Sequence, residues 1–295
     1  MINLVGALRG VKAGSEAAVT AGEIETYGRH LKARPTVNPT TAKRYLDCLH
    51  CYEVWLLGRP ISKDSATDFI SFLREKKLSW PTVRCYYHAL KPFLDELGIE
   101  FHLKFKKTRH LPRYHSSEQI KSILEIARHR KDKWGKLSER DSLIILTLAY
   151  TGLRRGELLS LRLSNINFQT KTIRVTGKGD KERVIPIATD LYEPLLKFTK
   201  GMTTSERVFP LGPNRLDVIV RKYAQAAGIN DMTPHSFRHY FVTQVIMNAN
   251  DPSAIKIAQQ LAGHADISTT AIYLDIIPEH LNQAVNNLPK LTGGK

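Results

Sequence analysis

Thr233-Pro-His-Ser-Phe-Arg-His-Tyr240 is the stretch from which the rest of this chain can be read. Pro234 sits where a helix starts, because its fixed φ suits the first turn and its missing N–H would be unpaired there anyway. On that helix His235 and Arg238 stand three positions apart and share a face. The unpaired N–H groups of a helix start already favour an anion. An imidazole and a guanidinium added on one face suit a phosphate group. A merely basic surface helix would look the same over so short a motif, so the reading depends on what surrounds it. His239 and Tyr240 are read as packing residues.

Downstream, Leu261-Ala-Gly-His264 puts a histidine just after a helix-ending glycine, and Tyr273 follows nine residues later. An unaided phenol, with a pKa of ~10, is a poor nucleophile and needs cations and a proton acceptor close by. Upstream, Leu143–Ala149 is apolar almost all round, which predicts a buried helix that stops at Gly152. Arg154, two residues on, offers a planar fork that fits two phosphate oxygens. Glu157 is placed to hold that fork by hydrogen bonding, although a plain surface ion pair has the same spacing. Between these motifs Thr172–Thr176 and Glu182–Ile187 alternate with period two around Gly177-Lys-Gly-Asp-Lys181, a hairpin pattern. Lys178 stands near its tip between two glycines, which let a tip approach a backbone closely; an ordinary solvated turn lysine is the bland reading.

Lys and Arg outnumber Asp and Glu by 44 to 28, a net charge of +16 with a pI near 9.8. Such an excess favours a polyanionic partner. With 42% apolar residues, the 295-residue chain can bury one large core or two medium ones. No window approaches the ~18 consecutive apolar residues of a membrane span. Met1–Val11 lacks the cationic start and long apolar core of a secretory signal. Three cysteines do not make a disulfide framework, so a soluble, cytoplasmic protein is expected. Cys48, His50 and Cys51 are read as packing rather than as a metal site, because the sequence supplies no second ligand pair.

The first 21 residues are weakly patterned. Over 22–103 four amphipathic helices are predicted, with stripes such as Ile24, Tyr27 and Leu31, then Ala42, Tyr45 and Leu49, Phe69, Ile70 and Leu73, and Val83, Leu90 and Leu94. They make a compact bundle. Residues 104–115 form a basic linker free of acids, carrying Lys104, Lys106, Lys107, Arg109 and Arg113. It is either a solvated charge run or a strap along a phosphate backbone. A second domain over 116–295 opens at Ser116-Ser-Glu-Gln119, an N-cap signal. Apart from the hairpin it is helical, with late segments near 190–200, 213–227, 235–248, 252–262, 267–274 and 278–288.

In their order along the chain, Arg154, Lys178, His235 with Arg238, His264 and Tyr273 resemble the catalytic pattern of the tyrosine recombinase, or phage integrase, family, which includes the Xer-type recombinases. The likeness rests on Thr-Gly-Leu-Arg154, Thr-Gly-Lys178-Gly-Asp-Lys-Glu-Arg, Thr-Pro-His235-Ser-Phe-Arg238-His, Ala-Gly-His264 and Ala-Ile-Tyr273, and it covers the second domain. The first domain is similar in pattern only. Leu274-Asp275 departs from the Thr-His frequent after the family's tyrosine.

The resemblance implies a mainly α fold: a four-helix, SAM-like core-binding domain, then a helical catalytic domain with a small antiparallel β-sheet, the DNA breaking-rejoining fold. It implies that Tyr273 attacks a DNA phosphodiester to form a 3′-phosphotyrosyl link. Arg154, Arg238 and His264 would bind the phosphate oxygens, His235 would accept or relay the tyrosine's proton, and Lys178 would protonate the leaving 5′ oxygen, with Glu157 in support. Neither metal nor other cofactor is implied. The implied partners are double-stranded DNA and further copies of the chain, as a homotetramer on two sites associated with the nucleoid. A C-terminal helix over Pro278–Leu288 would dock on a neighbouring protomer. Two rivals share parts of this pattern: a type IB topoisomerase that only relaxes DNA, and a non-catalytic DNA-binding protein. The short segment before the bundle points to Xer-like dimer resolution or a simple mobile-element recombinase.

Overall fold

The computed structural model describes residues 15–106, 113–129, 136–177, 181–249 and 253–273. The chain divides into two compact units, Met1–Thr108 and Arg109–Lys295.

Among the described residues the first unit contains four helices: α1 (Ser15–Ala33), α2 (Pro39–Leu56), α3 (Lys63–Glu75) and α4 (Trp80–Glu96). α1 starts inside the stretch expected to lack pattern. Its first turns, Ser-Glu-Ala-Ala-Val-Thr, are alanine-containing helix formers without an apolar stripe, so periodicity had nothing to register. The starts of the next helices are written in their caps. The Asn38 side chain accepts from the Thr40 N–H ahead of Pro39, and Ser62 and Ser65 cap α3 reciprocally. The stripes meet in one core in which Leu49, Leu56, Phe69, Leu73, Leu90 and Leu94 lose all their solvent exposure. Each such side chain contributes roughly 1.5–3 kcal/mol of transfer free energy. Cys48 and Cys51 are buried in the same bundle.

The second unit is helical around one small sheet. In order it comprises α5 (Ser117–Arg128), α6 (Lys136–Thr151), α7 (Arg155–Ser160), β1 (Ile166–Asn167), β2 (Thr172–Thr176), β3 (Glu182–Pro186), α8 (Thr189–Thr199), α9 (Pro213–Ala226), α10 (Pro234–Asn248), α11 (Ala254–Ala262) and α12 (Ser268–Ala271). The strands are antiparallel in the order β1-β2-β3, with Ile173 facing Ile185 and Val175 facing Arg183. β1 is two residues long, too short for alternation to reveal it. A main core joins α6, the sheet, α8 and α9 through Ile144, Leu148, Ile173, Ile185, Leu191 and Val220. A smaller cluster joins α10 to α11 through Phe241, Val242, Ile246, Ala258 and Ala262, and includes Tyr273.

α6 ends at Gly152, whose φ of +58° is left-handed. A Cβ there would also lie 2.4 Å from Phe241 Cδ1, so only glycine allows this turn to meet α10. Among the described residues no helix is long and apolar enough to cross a membrane. The helix expected near 278–288 lies outside the described residues.

Candidate active site

Three guanidiniums from three elements converge on the last carbonyls of α11. Arg183 of β3 donates from Nε to Leu261 O at 2.9 Å. Arg238 of α10 donates to Ala262 O, and also to Gly152 O at 3.0 Å. Arg154, the residue ahead of α7, donates from Nη2 to Gly263 O at 2.9 Å. The last carbonyls of a helix lack intrahelical partners and carry the negative end of its dipole, so they hold cations well. Gly263 caps α11 with φ +67°, and a Cβ on it would sit 3.0 Å from Arg183 Cδ. The absent side chain is what lets the arginine lie against the cap.

Glu157 supplies the compensating negative charge. Its carboxylate accepts two hydrogen bonds from Arg183, at 2.9 and 2.7 Å, one from Arg154 Nη1 at 2.9 Å and one from the Arg154 backbone N–H at 2.7 Å. Burial would raise its pKa, but the bonds from Arg183 and Arg154 outweigh that and hold it below the usual carboxylate range. Arg183 and Glu157 side chains are only 9% and 7% exposed, whereas Arg154 keeps 37%, leaving its fork partly open to a ligand.

Tyr273 follows α12 and is 2% exposed. Its hydroxyl lies 2.6 Å from His239 Nδ1. The His264 ring stacks nearly parallel to it at 6.5 Å, and His264 Nδ1 is bonded to Thr270 Oγ1 at 2.9 Å. Burial pushes the phenol up to about 12, against the pull of the Arg238 charge. Burial, followed by the surrounding histidines and arginines, pushes His239 and His264 down to about 4, so both are neutral near pH 7. Arg238 is 1% exposed; burial and the Arg154 charge lower it to about 10, which still leaves it protonated. His235 is exposed at the start of α10 and meets the His239 ring edge-on at 4.4 Å. The Thr233 side chain caps that helix by accepting from the Ser236 N–H.

Folding thus gathers Arg154, Glu157, His235, Arg238, His264 and Tyr273 into one pocket. Lys178 lies outside the described residues, although the β2 end of its hairpin abuts the site: a Cβ on Gly177 would be 3.8 Å from Arg154 Nη1. Of the linker residues, Lys107 and Arg109 also lie outside. Lys104 and Lys106 are exposed, because Phe101, Leu103 and Phe105 alternate with them and pack on the first unit's core. Arg113 is exposed and pairs with Asp231 at 2.5 Å.

Two residues of the pocket escaped the sequence reading. His239, read as packing, is the residue in contact with the tyrosine hydroxyl; its place one turn beyond His235 was the available signal. Arg183 shares the parity of Ile185 on β3 and therefore points inward. An inward arginine calls for a buried carboxylate, and Glu157 is that partner.

As chemistry, the pocket offers the partly open fork of Arg154 and, behind it, the buried Arg238 guanidinium and a Tyr273 phenol bonded to a neutral imidazole, groups a phosphodiester reaches only once they are uncovered. The model of the phage integrase family matches residues 113–280. Among curated relatives, tyrosine recombinase XerA of Pyrococcus furiosus is 34% identical over 256 residues, spanning 80% of this chain and 85% of that protein. Tyrosine recombinase XerD of Vibrio vulnificus is 34% identical over 255 residues, spanning 81% and 78%. In fold, the chain resembles the XerH site-specific recombinase bound to a palindromic difH substrate in a post-cleavage complex, with TM-score 0.67 and 19% identity over 94% of this chain and 90% of that one. It likewise resembles the Tn1549 transposon integrase in complex with transposon right end DNA, with TM-score 0.65 and 21% identity over 88% and 98%.

Proposed function

This chain belongs to the phage integrase family and is a tyrosine recombinase, and from that premise we propose that Tyr273 cuts and rejoins duplex DNA at specific sites. One observation carries the assignment: the hydroxyl of Tyr273 lies in the same pocket as Arg238, His239 and His264. Its oxygen attacks the scissile phosphorus, forming a 3′-phosphotyrosyl bond as the bond to the 5′ oxygen breaks. Arg154 and Arg238 hold the non-bridging oxygens while negative charge accumulates; fixed donors of this kind are often worth ~10²–10³ each in rate. His264 adds a further donor, Glu157 fixes Arg154 by hydrogen bonding, and His235, expected to accept or relay the tyrosine's proton, meets the His239 ring rather than the phenol. Lys178 serves as the acid that protonates the leaving 5′ oxygen. A 5′-hydroxyl from a partner duplex then attacks the phosphotyrosine and restores the backbone. Two transesterifications conserve the phosphodiester bond, so no external energy source is needed.

Exchange between two duplexes requires four strand cleavages, and one nucleophilic tyrosine per chain then calls for a homotetramer on two sites. The amphipathic Pro278–Leu288 stretch would link neighbouring protomers, and the basic residues from Lys104 to Arg113 would follow the DNA backbone. The biological setting proposed is Xer-like dimer resolution or mobile-element integration and excision, at the nucleoid.

A nicked suicide duplex containing the recombination site tests the assignment, because cleavage releases a short strand and leaves the protein attached. The wild-type chain yields a covalent adduct and Tyr273→Phe yields none. An adduct of equal yield from Tyr273→Phe would overturn the assignment. Relaxation of plasmids that lack the site would mark a topoisomerase instead.

A further inference from the structure

Every nucleophilic phenol must lose its proton as it bonds to phosphorus, and the pocket contains three histidines near Tyr273. His264 has its Nδ1 occupied by Thr270 and stacks on the tyrosine ring rather than meeting its oxygen. His235 is exposed and meets the His239 ring, not the phenol. Only His239, among the described residues, places a ring nitrogen at hydrogen-bond distance from Tyr273 Oη. We infer that His239 is a catalytic residue that takes the Tyr273 proton on Nδ1 during cleavage and returns it during rejoining. The inference rests on Tyr273 being the nucleophile.

The atoms balance. In cleavage the Oη–P bond forms and the P–O5′ bond breaks; the phenolic proton goes to His239 Nδ1, and the 5′ oxygen takes a proton from the general acid, Lys178 in the proposed scheme. In rejoining the incoming 5′-hydroxyl returns its proton to that lysine, the Oη–P bond breaks, and Oη recovers its proton from the His239 imidazolium. No electrons and no net protons are consumed.

The surroundings suit this role. Among the described residues, the groups facing His239 are His235 and Arg238 on its own helix, His264 beyond α11, Tyr273, and His115 ahead of α5. No carboxylate is among them, so in the free protein the imidazole stays neutral and keeps a lone pair for the phenol. Proton transfer at rest is strongly uphill, since the phenol is held high and the imidazole low. A phosphodiester anion in the pocket reverses both trends: its charge favours imidazolium, and bond formation to phosphorus acidifies the phenol. The base therefore acts only when substrate is seated.

The test uses the full chain on suicide duplexes with either an ordinary scissile phosphate or one whose 5′ bridging oxygen is sulfur, a leaving group that needs no acid. His239→Asn can still accept a hydrogen bond from Tyr273 but cannot take its proton. Single-turnover cleavage by His239→Asn is expected to fall on the order of 10²–10³-fold on both duplexes. Its rate should climb with pH towards pH ~9 while the wild type stays flat, and duplex affinity should hold within about twofold. The same drop for a Lys178 variant should be relieved by the sulfur duplex alone. A His239→Asn rate within about threefold of wild type, or an unchanged pH profile, would reduce His239 to a rest for the ring. Should substitution disturb the fold, ¹⁵N-histidine NMR of the wild type decides: His239 Nδ1 must be unprotonated and must change its shift in Tyr273→Phe, whereas a protonated Nδ1 would overturn the inference. Failure of the wild type to form any adduct would sink the assignment of Tyr273 itself, a different outcome.

Discussion

At the scale of the residue, the site is a problem in charge compensation. Arg154, Arg183 and Arg238 would repel one another if placed together unaided. Glu157 and the carbonyls of Leu261, Ala262 and Gly263 offset that repulsion, and Arg154 keeps part of its fork open to a ligand. Breaking such a buried pair from one side leaves an uncompensated charge, so Arg183→Ala should destabilise the second unit by about 3 kcal/mol, read by denaturant unfolding. It should also slow adduct formation, because Arg154 then loses its fixed partner; unchanged stability would mean that the Glu157 hub is slack. The histidines set a pH dependence. An unfolded histidine titrates near ~6.5, whereas folded His239 and His264 titrate at about 4. Between those values the unfolded state binds protons that the folded state refuses. Stability is therefore whole above the window and falls as pH drops through it. Melting temperature should fall from about pH 6.5 downwards, less steeply in His239→Asn; Glu157, held low, adds its own loss at still lower pH. That Arg154, Arg238, His235, His264 and Tyr273 would share one pocket was legible, because they sit in short ordered motifs. Arg183 and the role of His239 were not, since each depends on which partner folding brings opposite.

At the scale of the element, α10 is the beam on which the pocket is built. Its inner face packs Phe237, Phe241 and Val242, and its first turns present His235, Arg238 and His239. Its start was readable from Thr-Pro, because caps are local chemistry. The helices of the first unit, and α5 of the second, were readable for the same kind of reason: their stripes and the Ser62 and Ser116 caps lie in sequence next to what they specify. β1 was harder, being two residues long and fixed by pairing rather than by its own pattern, whereas α12 falls within the helical segment expected near 267–274. The contact of α6 with α10 is also invisible in sequence, since it depends on how closely Gly152 approaches Phe241. Gly152→Ala should therefore cost well over the ~1 kcal/mol of an ordinary strained left-handed alanine, because the added methyl also displaces Phe241. Thr233→Ala, which removes a cap and its contact with the Ser236 hydroxyl but no buried packing, should cost only about 1 kcal/mol. Thermal unfolding of the two variants should rank them in that order, and equal losses would mean that Phe241 has room to yield.

At the scale of the whole molecule, among the described residues the main cores of Met1–Thr108 and Arg109–Lys295 share no residue, and the chain carries a net charge of +16. The two-domain plan was legible because each core writes its own periodicity; the use of the charge was not, because composition does not say where cations project. Near the end of the first unit the structure answers that for two of them. Phe101, Leu103 and Phe105 anchor the chain while Lys104 and Lys106 face solvent, an extended alternation that suits a phosphate backbone. Each lysine that neutralises a phosphate releases counterions, so the logarithm of affinity falls with the logarithm of salt by ~0.9 per contact. With several such contacts, duplex binding should weaken on the order of 10³-fold between about 50 and 200 mM salt. Replacing Lys104 and Lys106 together by alanine should reduce the steepness of that dependence by about 2 and lower affinity for any duplex sequence alike. Adduct yield at saturating protein should stay the same, because neither lysine is among the residues that build the pocket around Tyr273. A salt dependence that does not change on their removal would take this segment off the DNA and leave its charge as simple solvation.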